Sequence, residues 1–169
     1  LVATDVAYLE GRAVAAAVVF GEWSDSRPSG EYLAVVDEAA DYVPGQLYRR
    51  ELPALLAVLE RIQDPVSAVV VDGYVRLGAK PGLGAHLWEA IGRRCAVIGV
   101  AKSAFRGADA VEVYRGTSRR PLYVSAAGAD DSIAASNIAA MYGPDRTPVL
   151  LRRVDRLARD EAARVERAG

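Results

Sequence analysis

The chain has 169 residues, 51% apolar and 25% charged, with a net charge of −1. That length suits a single domain over residues 1–169 with a core of its own, and the near-zero charge excludes global electrostatic attraction to nucleic acid or membrane while leaving room for a local basic groove. One cysteine, Cys95, and one histidine, His86, exclude an intramolecular disulfide, a cysteine-based metal site and any mechanism that needs two histidines.

No apolar run approaches the roughly 20 residues that span a bilayer, and no signal peptide is present, so a cytoplasmic protein with no membrane partner is expected. Leu1 opens directly into strand-like sequence without an initiator methionine, which predicts an incomplete N-terminus. LVATDVAYL (1–9) and RAVAAAVVF (12–20) read as two strands joined by a tight turn at Glu10-Gly11. GEWSDSRPSG (21–30) is a polar loop, and EYLAVVDEAA (31–40) reads as a third strand, completing an antiparallel meander. Apolar residues at helical spacing predict a helix from Leu47 to Ile62. Pro53 within it predicts an irregular start.

The second half alternates. VSAVVVD (66–72) has the β-branched continuity of a strand buried on both faces. GLGAHLWEAIGRR (82–94) follows as a helix and CAVIGVA (95–101) as another buried strand, the order of a parallel crossover. VEVYRG (111–116) and RRPLYVSAA (119–127) read as a later hairpin, and DDSIAASNIAAMYG (130–143) as a helix. Thr147-Pro148 starts the last helix, which runs to about Ala168. The fold class expected is an α/β mixed sheet with helices on both faces, with sites gathered at strand C-terminal ends.

Three carboxylates sit in apolar contexts, and burying an unpaired carboxylate is costly. Asp5 interrupts the first strand, where it shares a face with Ala3 and Ala7 while Val2, Thr4, Val6 and Tyr8 take the other. Glu51 lies in the helical stripe of Leu47, Leu55, Val58 and Ile62. Asp72 closes the Val69–Val71 run with Gly73 behind it. A shared hard cation such as Mg²⁺ would account for all three, because it takes oxygen ligands and neutralises clustered acids. Each also has a plainer reading: Asp5 as an outward-facing residue, Glu51 as a boundary residue paired with Arg50 or Arg94, and Asp72 as the first residue of an Asp-Gly turn. Lys102, behind a buried strand, suits a phosphate or carboxylate contact, or simple exposure to water. RLGAKPGLG matches neither a phosphate-binding loop nor a dinucleotide fingerprint.

Taken in order, these segments resemble the endonuclease V family. ATDVAY is similar to its first Asp motif, YVPGQLYRRELPALL to its wedge and following Arg-Glu, and VVVDG to its second Asp motif. VIGVAKSAFRG and RRPLYVSAAG resemble two later family strands. The resemblance implies a ribonuclease H-like fold and a Mg²⁺-dependent endonuclease, with Mn²⁺ an alternative ion, that cuts DNA or RNA one nucleotide 3′ of a deaminated base such as inosine. It implies Asp5, Glu51 and Asp72 as metal ligands and Lys102 near the scissile phosphate. It implies Tyr42, Val43 and Pro44 as a duplex wedge, and Gly45, Leu47, Gly73 and Gly84 as the lining of the flipped-base pocket. A monomer is expected.

The chain departs from the family in named places. Tyr74 stands where the family has a histidine or glutamine, the His-Pro pair that follows is absent, and Asp41 replaces the leading proline of the wedge. The family's later histidine aligns with Gly128, which leaves Asp130 or Asp131 as a candidate replacement ligand. Two other readings therefore stay open: a non-cleaving nucleic-acid-binding relative, and a hydrolase of a smaller phosphate ester.

Overall fold

A computed structural model describes residues 1–9, 11–37 and 47–168, the side chain of Leu47 excepted. Strands β1 (Val2–Leu9), β2 (Arg12–Val19) and β3 (Gly30–Asp37) form the expected antiparallel meander. β1 and β2 pair in register from Val2–Val19 to Leu9–Arg12, and Gly11 at the turn takes φ +68°, a conformation that glycine adopts without penalty. Helix α1 (Leu47–Leu59) leads into β4 (Ala68–Asp72). A two-residue hairpin, β5 (Arg76–Leu77) and β6 (Lys80–Pro81), precedes helix α2 (Leu83–Ala90) and strand β7 (Ala96–Ala101). Strands β8 (Val111–Val113) and β9 (Leu122–Ala127) are followed by helices α3 (Asp131–Ala140) and α4 (Val149–Ala168).

Seven strands make one sheet in the order β3-β2-β1-β4-β7-β9-β8. β1, β4 and β7 are mutually parallel, and β9 returns antiparallel to both β7 and β8. Helices cover both faces. Ala54 and Val58 of α1 pack on Val2, Ala13, Ala15 and Ala17, while Leu150, Val154 and Ala158 of α4 share a core with Ala3, Ala16 and Val18. The alanine-rich β2 lets both helices approach closely. α2 joins α1 on one side, with Leu83 and Leu87 against Val69, Val71 and Val97. α3 joins α4 on the other, through Ala134, Ala135 and Ile138.

Helices α1 and α2, like α3, end earlier than their sequence pattern predicts. Past Leu59 the chain tightens, with the amides of Arg61 and Ile62 donating to the carbonyls of Val58 and Leu59, three residues back. α2 stops because Gly92 and Arg93 both turn to positive φ, at +70° and +56°, and the Arg93 amide reaches back to the Trp88 carbonyl. α4 begins one residue after the Thr147-Pro148 signal, and the Pro148 carbonyl accepts from the Arg152 amide.

Gly99, in the middle of β7, is glycine for a reason that bears on the site. The chain leaving Asp72 folds back across this strand, and a Cβ at Gly99 would lie 2.6 Å from the Gly73 carbonyl oxygen and 2.9 Å from the Val75 amide nitrogen. The Val75 amide instead donates to Ser125 Oγ at 3.1 Å, deep in β9.

Candidate functional site

From β1 the chain builds β2 and β3 to one side and then returns to build β4 and β7 on the other, so the β1–β4 junction is a topological switch point, where open sheets place their clefts. The β1–β4 ladder consists of Val2–Val69 and Ala3–Val70. The Thr4 hydroxyl donates to the Val70 carbonyl at 3.1 Å, and beyond it the strands part. Asp5 and Asp72 stand on either side of the gap. Glu51 reaches it from α1 on one face and Asp155 from α4 on the other. These four acids line one open groove of about 410 Å³ together with Gly73, Lys102 and Arg159.

Burial and the neighbouring acids raise the proton affinity of Asp5 and Glu51. Asp5 is pushed up to about 7, first by burial and then by the charge of Asp72, with Asp155 adding to the rise. The Val6 amide, donating to Asp5 Oδ1 at 2.9 Å, opposes that rise. Glu51 is also raised to about 7, chiefly by burial, with Asp5 and Asp72 adding to it and Tyr8 opposing it. The Tyr8 hydroxyl is buried without a hydrogen bond of good geometry, so its effect on Glu51 is one of proximity. The Arg50 guanidinium lies 3.7 Å from the centre of the Tyr8 ring.

Two cations answer two of the acids. Lys102 Nζ donates to Asp72 Oδ2 at 2.6 Å, and Arg159 Nη2 donates to Asp155 Oδ1 at 2.6 Å. Burial works against the Lys102 ammonium, but the Asp72 hydrogen bond and the charges of Asp72, Asp5 and Asp155 outweigh it and raise its pKa. With Asp72 turned to Lys102 and Asp155 to Arg159, no three acid, imidazole or thiol groups among the described residues close on one point as the side chains stand.

Asp5, Glu51, Asp72 and Lys102 are thus brought together from four separate elements, and Gly73 borders the same groove at φ +138°. Gly84 is buried elsewhere: a Cβ there would stand 2.6 Å from Val75 Cγ2, so its bareness serves the packing of α2 on the returning loop. Leu47 is the first residue of α1. Tyr42, Val43, Pro44 and Gly45 lie outside the described residues.

The departures have structural roles of their own. The Tyr74 hydroxyl donates to the Ser103 carbonyl at 2.8 Å and accepts from the Phe105 amide at 3.1 Å, tying the loop after Asp72 to the loop that carries Lys102. Gly128 takes φ +75°, and a Cβ there would come within 2.7 Å of the Trp88 indole nitrogen and 3.5 Å of Ala96, at the start of β7. It therefore sits at the opposite end of the sheet from the carboxylates. Asp130 and Asp131 do not replace a lost ligand. Asp130 caps α3 by accepting from the Ser132 and Ile133 amides, and Asp131 binds Arg76 at 2.6 Å and the Ala126 amide at 2.6 Å. His86 stacks on Tyr48 with ring centres 3.6 Å apart.

Asp155 is the acid that the sequence pattern conceals. It lies in the charged stretch RRVDR, which reads as a solvated face. The signal that could have revealed it is its place on the edge of the buried stripe Leu150, Val154, Ala158 and Ala162.

The endonuclease V family profile matches residues 1–136. The chain belongs to the endonuclease V family. The endonuclease V of Streptomyces avermitilis is 40% identical over 104 residues, 60% of this chain and 44% of that one. The matched stretch thus spans less than half the length of that curated relative. The crystal structure of the Streptomyces avermitilis endonuclease V superposes with a TM-score of 0.79 at 29% identity, covering 98% of this chain and 82% of that one. Endonuclease V of Ciona intestinalis, in complex with a 24mer DNA containing an inosine followed by a ribo-adenosine, gives a TM-score of 0.83 at 18% identity over 97% of this chain and 85% of that one. The fold is accordingly ribonuclease H-like, as the motif order leads one to expect. Among the described residues, no helix is long and apolar enough to cross a membrane.

Proposed function

We propose that this endonuclease V family member is a metal-dependent endonuclease that cuts a phosphodiester on the 3′ side of a deaminated base, inosine above all, in DNA or RNA. The observation that carries the reading is the convergence of Asp5, Glu51, Asp72 and Asp155 on one groove at the switch point. Four acids, two of them held up to about 7, form a groove short of positive charge. The donors are all oxygen, with no thiol or imidazole among them, which suits Mg²⁺ or Mn²⁺ rather than a softer ion.

Asp5, Glu51, Asp72 and Asp155 are the residues that would hold the ion or ions. Bound there, a divalent cation would activate water for in-line attack on phosphorus and stabilise the departing 3′-oxygen, leaving 3′-hydroxyl and 5′-phosphate ends. The chain's own residues do the rest. Lys102, 45% exposed and free to swing from Asp72, presents a positive charge to the phosphate. Tyr74 holds the Lys102 loop against the strand end that carries Asp72. Gly73, bare and bordering the groove, lets a base or sugar approach the backbone closely. Tyr42, Val43 and Pro44 are proposed to wedge the duplex, with Gly45, Leu47 and Gly73 proposed around the extruded base.

The test uses end-labelled single- and double-stranded DNA and RNA, each with one inosine, incubated with Mg²⁺, Mn²⁺ or EDTA. A product cut 3′ of inosine, lost in EDTA, is expected. Binding of the inosine strands with no product at any Mg²⁺ or Mn²⁺ concentration would replace this reading with that of a non-cleaving relative. Metal-dependent hydrolysis of a small phosphate ester, with oligonucleotides left intact, would replace it with the ester hydrolase.

A further inference from the structure

The last helix is divided by charge. From Val149 to Arg159 it carries three arginines besides Arg159 against one aspartate, and from Asp160 to Ala168 two arginines against three acids. The basic half is the half at the carboxylate groove, because Asp155, Ala158 and Arg159 line that groove. Arg152, Arg156 and Arg159 follow one another at spacings of four and three residues, which puts them in a single row along the helix. All three are exposed. The row starts beside a second groove, lined by Val149, Arg152, Arg153 and Arg156, and ends inside the carboxylate groove at Arg159.

These arginines are held loosely. Among the described residues, Arg159, its side chain 71% exposed, pairs only with Asp155 one turn away, and Arg152 pairs with the exposed Asp145. Exposed pairs of this kind contribute little to stability, so a phosphate can take over the guanidinium at small cost. A guanidinium also matches phosphate with two parallel hydrogen bonds. Arg153, which borders the second groove too, differs in being gripped by both oxygens of Glu31, at 2.6 and 2.8 Å.

We infer that the Arg152–Arg156–Arg159 row of α4 is a phosphate track, along which a nucleic acid backbone runs into the carboxylate groove, with Arg159 contacting the phosphate nearest the acids. The inference rests on the nuclease reading above. The helix is rigid and the spacing regular, so the row fixes the strand's direction of entry without reading its sequence.

The experiment measures binding of a fluorescent inosine duplex, its linkages 3′ of the inosine made as phosphorothioates, which slow cleavage and keep the backbone charge, across 50–200 mM KCl in Mg²⁺. Wild type is compared with Arg159→Gln, with Arg152→Gln/Arg156→Gln and with Arg167→Gln at the far end of the same helix. Removing one phosphate-neutralising charge should lower the slope of log affinity against log salt by about 0.9. The expected result is a drop of about one for Arg159→Gln and about two for the double variant, with no change for Arg167→Gln. Weakening should be equal for inosine and plain duplexes, and Arg159→Lys should recover much of the affinity. Unfolding temperatures close to wild type would separate this from a folding defect. Unchanged slopes in the row variants, an equal drop for Arg167→Gln, or weakening confined to the inosine duplex would each overturn the track. A wild-type chain that binds no duplex and cuts no oligonucleotide would overturn the nuclease reading and the track together; one that cuts, with row variants of unchanged slope, would overturn the track alone.

Discussion

Asp5, on the first strand, and Asp155, on the last helix, line the same groove, and the Asp155 carboxylate adds to the rise of the Asp5 pKa. A neighbouring carboxylate disfavours ionisation of Asp5, and a cation held between the two would relieve it. If Asp155 belongs to the ion-holding set, Asp155→Asn should lower Mg²⁺-dependent cleavage by about a hundredfold or more while the chain stays folded. The same change removes a like charge from Asp5, so without divalent ions the variant should unfold at a higher temperature than wild type at pH 8. Steady-state cleavage and thermal melts in EDTA check the two halves. Full cleavage by Asp155→Asn would remove it from the set.

The raised acids give the fold a defined pH dependence. Asp5 and Glu51 keep their protons to about 7 in the folded chain, against ordinary values of 3.8 and 4.5. Between those limits the folded state binds more protons than the unfolded one. Stability from these groups is therefore complete below about pH 4, is lost as pH rises through 7, and is level above that. A divalent cation held by these acids, as proposed, would replace the protons, so its stabilising effect should grow over the same interval. Melts with and without Mn²⁺ should show a larger upward shift at pH 8 than at pH 5.5, and Asp5→Asn should abolish most of the difference. An equal shift at both pH values would place the ion away from these acids.

Lys102 and Asp72 form an ion pair whose partners are 45% and 41% exposed. Such a pair contributes less than about 1 kcal/mol, so Lys102→Met should melt within a few degrees of wild type. Its effect belongs in the reaction. If Lys102 serves the scissile phosphate as proposed, its loss should lower cleavage by about ten- to a hundredfold, with Arg a partial substitute. Single-turnover rates at saturating enzyme separate this from weaker binding. A Lys102→Met variant that cuts at the wild-type rate would make the lysine only a counter-ion for Asp72.

Much of this was legible in the sequence because the informative residues are locally out of place. An aspartate between Thr4 and Val6 in a strand, and another closing the Val69–Val71 run, conflict with their surroundings, and the structure puts both at the parting of β1 and β4. The faces followed from alternation alone: Ala3 and Ala7 lie on the α4 side with Asp5, and Val2, Val6 and Tyr8 on the α1 side. Asp155 stayed hidden for the opposite reason. In a helix dense with arginine it conflicts with nothing nearby, and only the tertiary packing of α4 beside β1 brings it to Asp5. The short β5–β6 hairpin was equally invisible, since two-residue strands have no period to read. The roles of Asp130 and Asp131 were misjudged because a cap and a buried-edge ion pair look, in sequence, like free acids.

Gly99 gives the most direct test of how the sheet supports the site. Its φ is not in the left-handed region, so a substitution there meets no backbone strain of its own. The obstacle is the loop lying on it, whose Gly73 carbonyl and Val75 amide occupy the space of a Cβ. Gly99→Ala must lift that loop, which runs directly from Asp72 and holds the Lys102 loop through Tyr74. Overpacking of this kind costs about 1–3 kcal/mol, a drop of roughly 2–12 °C in melting temperature for a chain of this size. Cleavage should suffer more than stability, because a shift of about 1 Å in Asp72 or Lys102 is enough to lose about a hundredfold in rate. Gly73→Ala, strained by φ +138° but with Leu83 Cδ2 at 3.9 Å as its nearest neighbour, separates backbone strain from steric lift. Melting curves and single-turnover cleavage of the two variants should show Gly99→Ala with the larger loss of rate per degree of destabilisation. The reverse order would mean that the loop's own conformation, rather than its seat on β7, sets the position of Asp72.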